Sequence, residues 1–65
     1  MTPTDFRRTL DSLGLSQTGA SRVLGVSDRH VRRWIAGDTN VPEPVAKLLR
    51  LMAAGRLSAD DVRDA

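Results

Sequence analysis

The chain has 65 residues, of which 40% are hydrophobic, and ten basic residues outweigh eight acidic ones to give a formal net charge of +2. This length fits one domain, residues 1–65, with a core close to the smallest that folds alone. Without cysteine it forms no disulfide or thiolate metal site, and a single histidine cannot supply a metal cluster. No signal peptide is visible, and no apolar stretch approaches the ~20 residues that span a bilayer. We therefore expect a cytoplasmic protein with no metal and no cofactor.

The first helix is predicted to begin near the N-terminus. Thr2 is placed to cap it, Pro3 occupies its first position, and Asp5 is expected to return a hydrogen bond to Thr2 as a capping box. The stripe expected to be buried is Phe6, Leu10 and Leu13. Arg7 and Arg8 lie off this stripe, and we expect them to be solvated.

Two short helical patterns follow, and Gly25 separates them. Ser16 is predicted to cap the first of them, and Ser27 the second, which spans about residues 28–36 and ends at Gly37. Each helix carries apolar residues at i, i+3 and i+4, which predicts one buried side per helix. These residues are Ala20, Val23 and Leu24, then Val31, Trp34 and Ile35.

The second of these helices carries a dense basic face. At about 100° per residue, Arg29 and Arg33 lie nearly opposite Val31, with Arg32 on one shoulder and His30 on the other. Such a helix fits the DNA major groove, where arginine binds the O6 and N7 atoms of guanine. The alternative is an ordinary solvated basic face. Three arginines on the helix that follows a turn glycine favour the groove.

The arrangement of these two helices resembles that of the Cro/repressor-type (XRE-like) helix-turn-helix regulators of phages and bacteria. The resemblance is carried by Gln17, Gly25, Val26, Val31 and Trp34. Ser21 departs from it, because the family usually has alanine there, although serine is small and can bond back to a carbonyl one turn earlier. The resemblance implies an all-α fold, a compact four- to five-helix bundle with a central helix-turn-helix (lambda-repressor-like).

The resemblance also implies a double-stranded DNA partner, a nucleoid-associated location and a set of contacts. The residues expected at base edges are Ser27, Asp28, Arg29, Arg32 and Arg33. Those expected at phosphates are Ser16, Gln17, His30, Thr39 and Asn40. Asp38 would be repelled by phosphate, so we expect its side chain to turn inward as a helix cap.

The C-terminal third predicts a fourth helix and then a short fifth helix or a tail. Pro42 and Pro44 bracket the start of the fourth helix, whose buried stripe is Val45, Leu48, Leu49 and Met52. Residues 56–65 include a capping box formed by Ser58 and Asp61. Two roles remain open for the apolar residues left over: a homodimer interface or closure of the monomer's own core. These residues are Leu51, Leu57 and Val62.

The leading functional hypothesis is a sequence-specific transcriptional regulator. It is expected to be a dimeric repressor of a phage or mobile-element promoter, or an autoregulator of an anti-CRISPR operon, binding an inverted-repeat operator without a small-molecule effector or a membrane. An antitoxin-type or other protein-interaction module with the same fold is the alternative. An enzyme is not expected, because no nucleophile–base pair, metal cluster or glycine-rich phosphate loop is present.

Overall fold

Five helices and no strand make up the computed structural model, which describes residues 1–65. The helices are α1 Pro3–Ser12, α2 Gln17–Leu24, α3 Asp28–Ala36, α4 Glu43–Ala53 and α5 Ala59–Asp64. The predicted all-α class with a central helix-turn-helix is therefore confirmed. None of the helices is long and apolar enough to cross a membrane.

Side-chain caps determine where four of the helices begin. The hydroxyls of Thr2, Ser16, Ser27 and Ser58 each accept a hydrogen bond from a backbone N–H in the first turn of the helix that follows. Helix α4 begins after Pro42 without a side-chain cap, and Pro44 in its first turn has no N–H to satisfy. The caps predicted from the sequence thus place the helix starts correctly.

The capping box predicted at Thr2 is wrong in one half. Thr2 Oγ1 accepts from the Asp5 N–H at 3.1 Å, but the Asp5 carboxylate accepts nothing from Thr2 in return. Both residues are exposed, so water can satisfy the Thr2 N–H as well as a carboxylate can. The Ser58–Asp61 box forms both bonds, at 3.1 and 3.0 Å.

The core joins α1, α2, α3 and α4. Phe6 and Trp34 meet edge to face with their ring centroids 5.7 Å apart and their planes at 87°, a favourable aromatic geometry. Two core residues were not expected from the sequence, the fully buried Ala46 and the loop residue Val41. The remaining members of the cluster are Leu10, Ala20, Val31 and Leu49.

The turn between α2 and α3 adopts the conformation that its sequence predicts. Gly25 ends α2 in the left-handed region, with φ of 69°, where a side chain would be strained. Ser21 is buried, and its hydroxyl donates to the Thr18 carbonyl at 2.8 Å. The serine that departs from the family pattern is therefore accommodated without an unsatisfied buried hydroxyl.

Helix α5 packs against α2, although it buries no residue completely. Leu57 and Val62 are half-buried and line a groove together with Val23 of α2 and Leu48 of α4. Leu51 is different, because it is the one large hydrophobic residue that the fold leaves exposed, at 37%. The three residues predicted as a possible dimer interface therefore lie in two different environments.

Candidate nucleic-acid interface

One side of helix α3 is packed in the core, and the opposite side is exposed to solvent. Val31 is fully buried and Trp34 is 4% exposed, whereas Arg29, Arg32 and Arg33 are all exposed. Backbone hydrogen bonds from Gly37 and Asp38 to the carbonyls of Trp34 and Arg33 end the helix. The bounds, Asp28–Ala36, are those expected from the sequence. The basic face thus stands on a helix that the core fixes in position.

The arginines of α3 form no ion pair within the molecule. The protein's ion pairs all lie in its C-terminal third, where Arg50 meets Glu43 at 2.9 Å and Arg63 meets Asp60 at 2.8 Å. The hydrogen bond and charge of Arg50 lower the pKa of the Glu43 carboxyl. The one acid on α3, Asp28, lies in the first turn, where the positive end of the helix favours it. The three guanidinium groups therefore keep all their donors for an external anion.

Ser27 and His30 contact each other at the start of α3. Ser27 Oγ accepts from the His30 backbone N–H at 3.3 Å and lies 2.7 Å from His30 Nδ1. The His30 ring also lies 6.2 Å from the Trp34 ring, at an interplanar angle of 43°. Both residues remain exposed. The sequence predicts separate DNA contacts for the two residues and not their mutual bond, although a cap three residues before a histidine is a signal for it.

The start of α2 lies beside α1 and the flank of α3. Ser16 Oγ accepts from the Gly19 N–H at 3.0 Å, and Gln17 is exposed in the first turn. Both residues line a shallow depression together with Arg7 of α1 and Ile35 of α3. Arg7 is exposed, as expected from the sequence, and Asp11 of α1 also lines the depression, so the positive charge beside the two predicted phosphate contacts is accompanied by a negative one.

The loop after α3 presents polar side chains to solvent. Asp38, Thr39 and Asn40 are exposed, and none of the three forms a side-chain hydrogen bond. The prediction that Asp38 turns inward as a cap is wrong. Gly37 takes the left-handed conformation, with φ of 81°, and lets backbone N–H groups close the helix, so no side chain is needed there.

A helix-turn-helix family model matches residues 6–50, which is more than half of the chain and includes both helices of the motif. The protein belongs to the XRE-like helix-turn-helix family of DNA-binding regulators. It is thus a DNA-binding protein whose partner is double-stranded DNA. Comparisons with curated proteins and with solved structures gave no match. Helix α5 lies outside the matched residues.

Proposed function

We propose that this protein is a dimeric repressor that reads its operator with the exposed face of α3. Arg29, Arg32 and Arg33 would contact base edges in the major groove, with Asp28 beside them at the start of the helix. The observation that carries the proposal is the exposure of all three arginines on a single helix of the motif that buried Val31 and Trp34 anchor, with no internal ion pair to any of them. Guanidinium groups without an internal partner are suited to reading guanine.

Phosphate contacts would come from the elements on either side of α3. Ser16 and Gln17 lie at the N-terminus of α2, where free backbone N–H groups and the helix dipole favour an anion. Thr39 and Asn40 have uncommitted side chains in the loop, and His30 lies on the shoulder of α3. Such contacts would position the motif without choosing a sequence.

Two copies would be needed, because one motif reads only a few base pairs. Recognition helices of such dimers lie about one DNA turn apart, ~34 Å, on an inverted repeat. Leu51 is the best candidate for the homodimer contact, since it is the one large hydrophobic residue that is exposed and it lies on α4 rather than on α3. Leu57 and Val62 would extend the contact from the edge of α5. Repression would follow from covering a promoter of a phage, a mobile element or an anti-CRISPR operon, with the protein located at the nucleoid.

Selection of bound sites from a random pool of DNA duplexes tests this proposal. We expect enrichment of a two-fold symmetric sequence with half-site centres about 10 base pairs apart. Binding to the enriched duplex should weaken steeply between ~50 and ~200 mM salt, because several phosphates release counterions. A pool that shows no enrichment and binding without salt dependence would exclude the proposal and favour the alternative, a protein-interaction module.

A further inference from the structure

Ser27 Oγ contacts His30 twice, once at the backbone N–H that it caps and once at the ring atom Nδ1. The Ser27 hydroxyl has two lone pairs and one hydrogen, and one lone pair accepts the His30 backbone N–H. The 2.7 Å contact with Nδ1 therefore has two readings. Either the hydroxyl donates to a bare Nδ1, or a protonated Nδ1 donates to the second lone pair.

The electrostatics of the helix favour donation by the hydroxyl. Backbone N–H groups at the start of α3 point toward Ser27, and this positive end of the helix favours a ring that turns a lone pair toward it. The 2.7 Å distance fits a short hydrogen bond in either direction, because a charged N–H donor also reaches ~2.7–2.9 Å. Acceptance of the backbone bond also polarises the hydroxyl and strengthens it as a donor.

We propose that Ser27 is a positioning residue that fixes the tautomer of His30, so that the exposed Nε2–H serves as a neutral donor to a DNA phosphate. The inference rests on the proposed function and deepens it. Ser27 then makes no base contact of its own and affects DNA binding through the orientation and tautomer of His30. Packing of the ring beside Trp34, 6.2 Å away, limits its orientation further.

Nuclear magnetic resonance of the free protein tests the tautomer without DNA. His30 is the only histidine, so its ring nitrogens are observed without overlap from another residue. We expect the neutral ring to carry its proton on Nε2 and not on Nδ1. In Ser27→Gly the preference should weaken toward a mixture of tautomers, while the helix persists, because glycine caps a helix nearly as well as serine. A proton on Nδ1 in the unmodified protein would overturn the proposal.

Two substitutions at His30 test the donor. Glutamine carries an amide N–H at nearly the reach of Nε2, whereas asparagine reaches only as far as Nδ1. On the duplex selected from the random pool, we expect His30→Asn to weaken binding about 3–10-fold, as loss of one hydrogen bond does, and His30→Gln to recover most of that loss. The slope of affinity against salt should stay the same in both variants, because a neutral donor releases no counterion. A slope smaller by about 0.9 in His30→Asn would reveal a charged ring and refute the proposal.

A double-mutant cycle separates positioning from direct contact. Ser27→Gly should weaken DNA binding less than His30→Asn does, by about twofold for an equal mixture of tautomers, and should cause no further loss when His30 is already asparagine. A full additional loss would show that Ser27 touches DNA itself. If the unmodified protein showed no salt-dependent DNA binding, the proposed function would fail, yet the tautomer measurement would still decide the state of the ring.

Discussion

Helices α3 and α5 begin in the same way and end up with different properties. Each follows a serine N-cap and carries aspartate in its first turn. Helix α3 buries Val31 and Trp34 and leaves its arginines unpaired, whereas α5 buries nothing completely and pairs Arg63 with Asp60 and Asp64. Local capping chemistry therefore starts a helix, but burial decides whether it is a rigid platform. The exposed ion pairs of α5 add little to its stability.

Removal of the anchor of α3 should give the largest effect. Trp34→Ala deletes a buried ring that packs edge to face on Phe6, and we expect a loss of about 3–5 kcal/mol in the free energy of unfolding. The matched change on α5, Val62→Ala, removes a half-buried side chain and should cost about 1 kcal/mol. Urea titration monitored by circular dichroism measures both. Equal costs would show that α5 is as firmly packed as α3.

The arginines of the two helices should also differ on DNA. Arg33→Ala should weaken binding to the selected operator by about 1–3 kcal/mol and binding to random DNA much less. Arg63→Ala provides the control, because Arg63 lies on α5 outside the helix-turn-helix, and it should leave both affinities nearly unchanged. Titration of labelled duplexes measures these values. If Arg33→Ala weakened both duplexes equally, Arg33 would be a phosphate contact.

The exposed side of α4 should matter for assembly rather than for folding. Leu51→Glu places a charge at a site that is already 37% exposed, so the helices should persist while the protein becomes monomeric. We expect the free energy of dimerisation to weaken by about 1–2 kcal/mol. Cooperative binding to the full inverted repeat should be lost with it. Analytical ultracentrifugation measures the change, and Leu51→Met is the apolar control.

A second variant separates Leu51 from the residues near α5. Leu51→Glu combined with Val62→Glu should also be monomeric, but it should lose the packing of α5 on α2 in addition. A dimer that survives Leu51→Glu alone and dissociates only in the double variant would move the interface to α5. Unfolding of the double variant would instead place Val62 in the core of the monomer.

The smallest expected effect is that of low pH on the N-terminus of α5. Hydrogen bonds from the Ser58 backbone N–H, and then from its side chain, lower the pKa of the Asp61 carboxyl. Because the folded pKa lies below the unfolded one, the stabilisation is complete above the ordinary range for aspartate. It is lost as the pH falls through the folded pKa. Amide chemical shifts of residues 58–64 should therefore report fraying of α5 in that window, before the core of α3 responds.

The control for the acid effect is Ser58→Ala. This variant removes the hydroxyl part of the box and should raise the pKa of Asp61 toward its ordinary value. Fraying should then begin at higher pH. An unchanged titration would show that the Ser58 hydroxyl does not contribute to the lowered pKa of Asp61, which the Ser58 backbone N–H would then lower alone.

Most helix starts and ends could be predicted because capping is a local property. Ser16, Ser27 and Gly25 lie within a few residues of the groups that they satisfy, so the sequence contains the whole interaction. Helix α3 could be bounded correctly for the same reason. The face of arginines was also predictable, since helical spacing alone places them opposite Val31.

Other features depend on contacts that no local pattern contains. Ala46 is fully buried, yet alanine adds little to an apolar stripe, and Val41 lies in a loop without periodicity. The packing of α5 on α2 joins segments far apart in the chain. The inward turn predicted for Asp38 failed because Gly37 lets the backbone close α3 alone. Base and phosphate contacts depend on a partner and stay predictions.

The single tryptophan of this protein lies on α3, and the chain has no tyrosine. Near-ultraviolet absorbance and intrinsic fluorescence therefore come almost wholly from one indole, beside Phe6 on one side and His30 on the other. Emission monitors the local surroundings of α3, whereas far-ultraviolet circular dichroism averages all five helices. A thermal transition with the same midpoint by both methods would indicate that the molecule melts as one unit. A separate early change in dichroism alone would indicate that a helix away from the indole, such as α5, melts first.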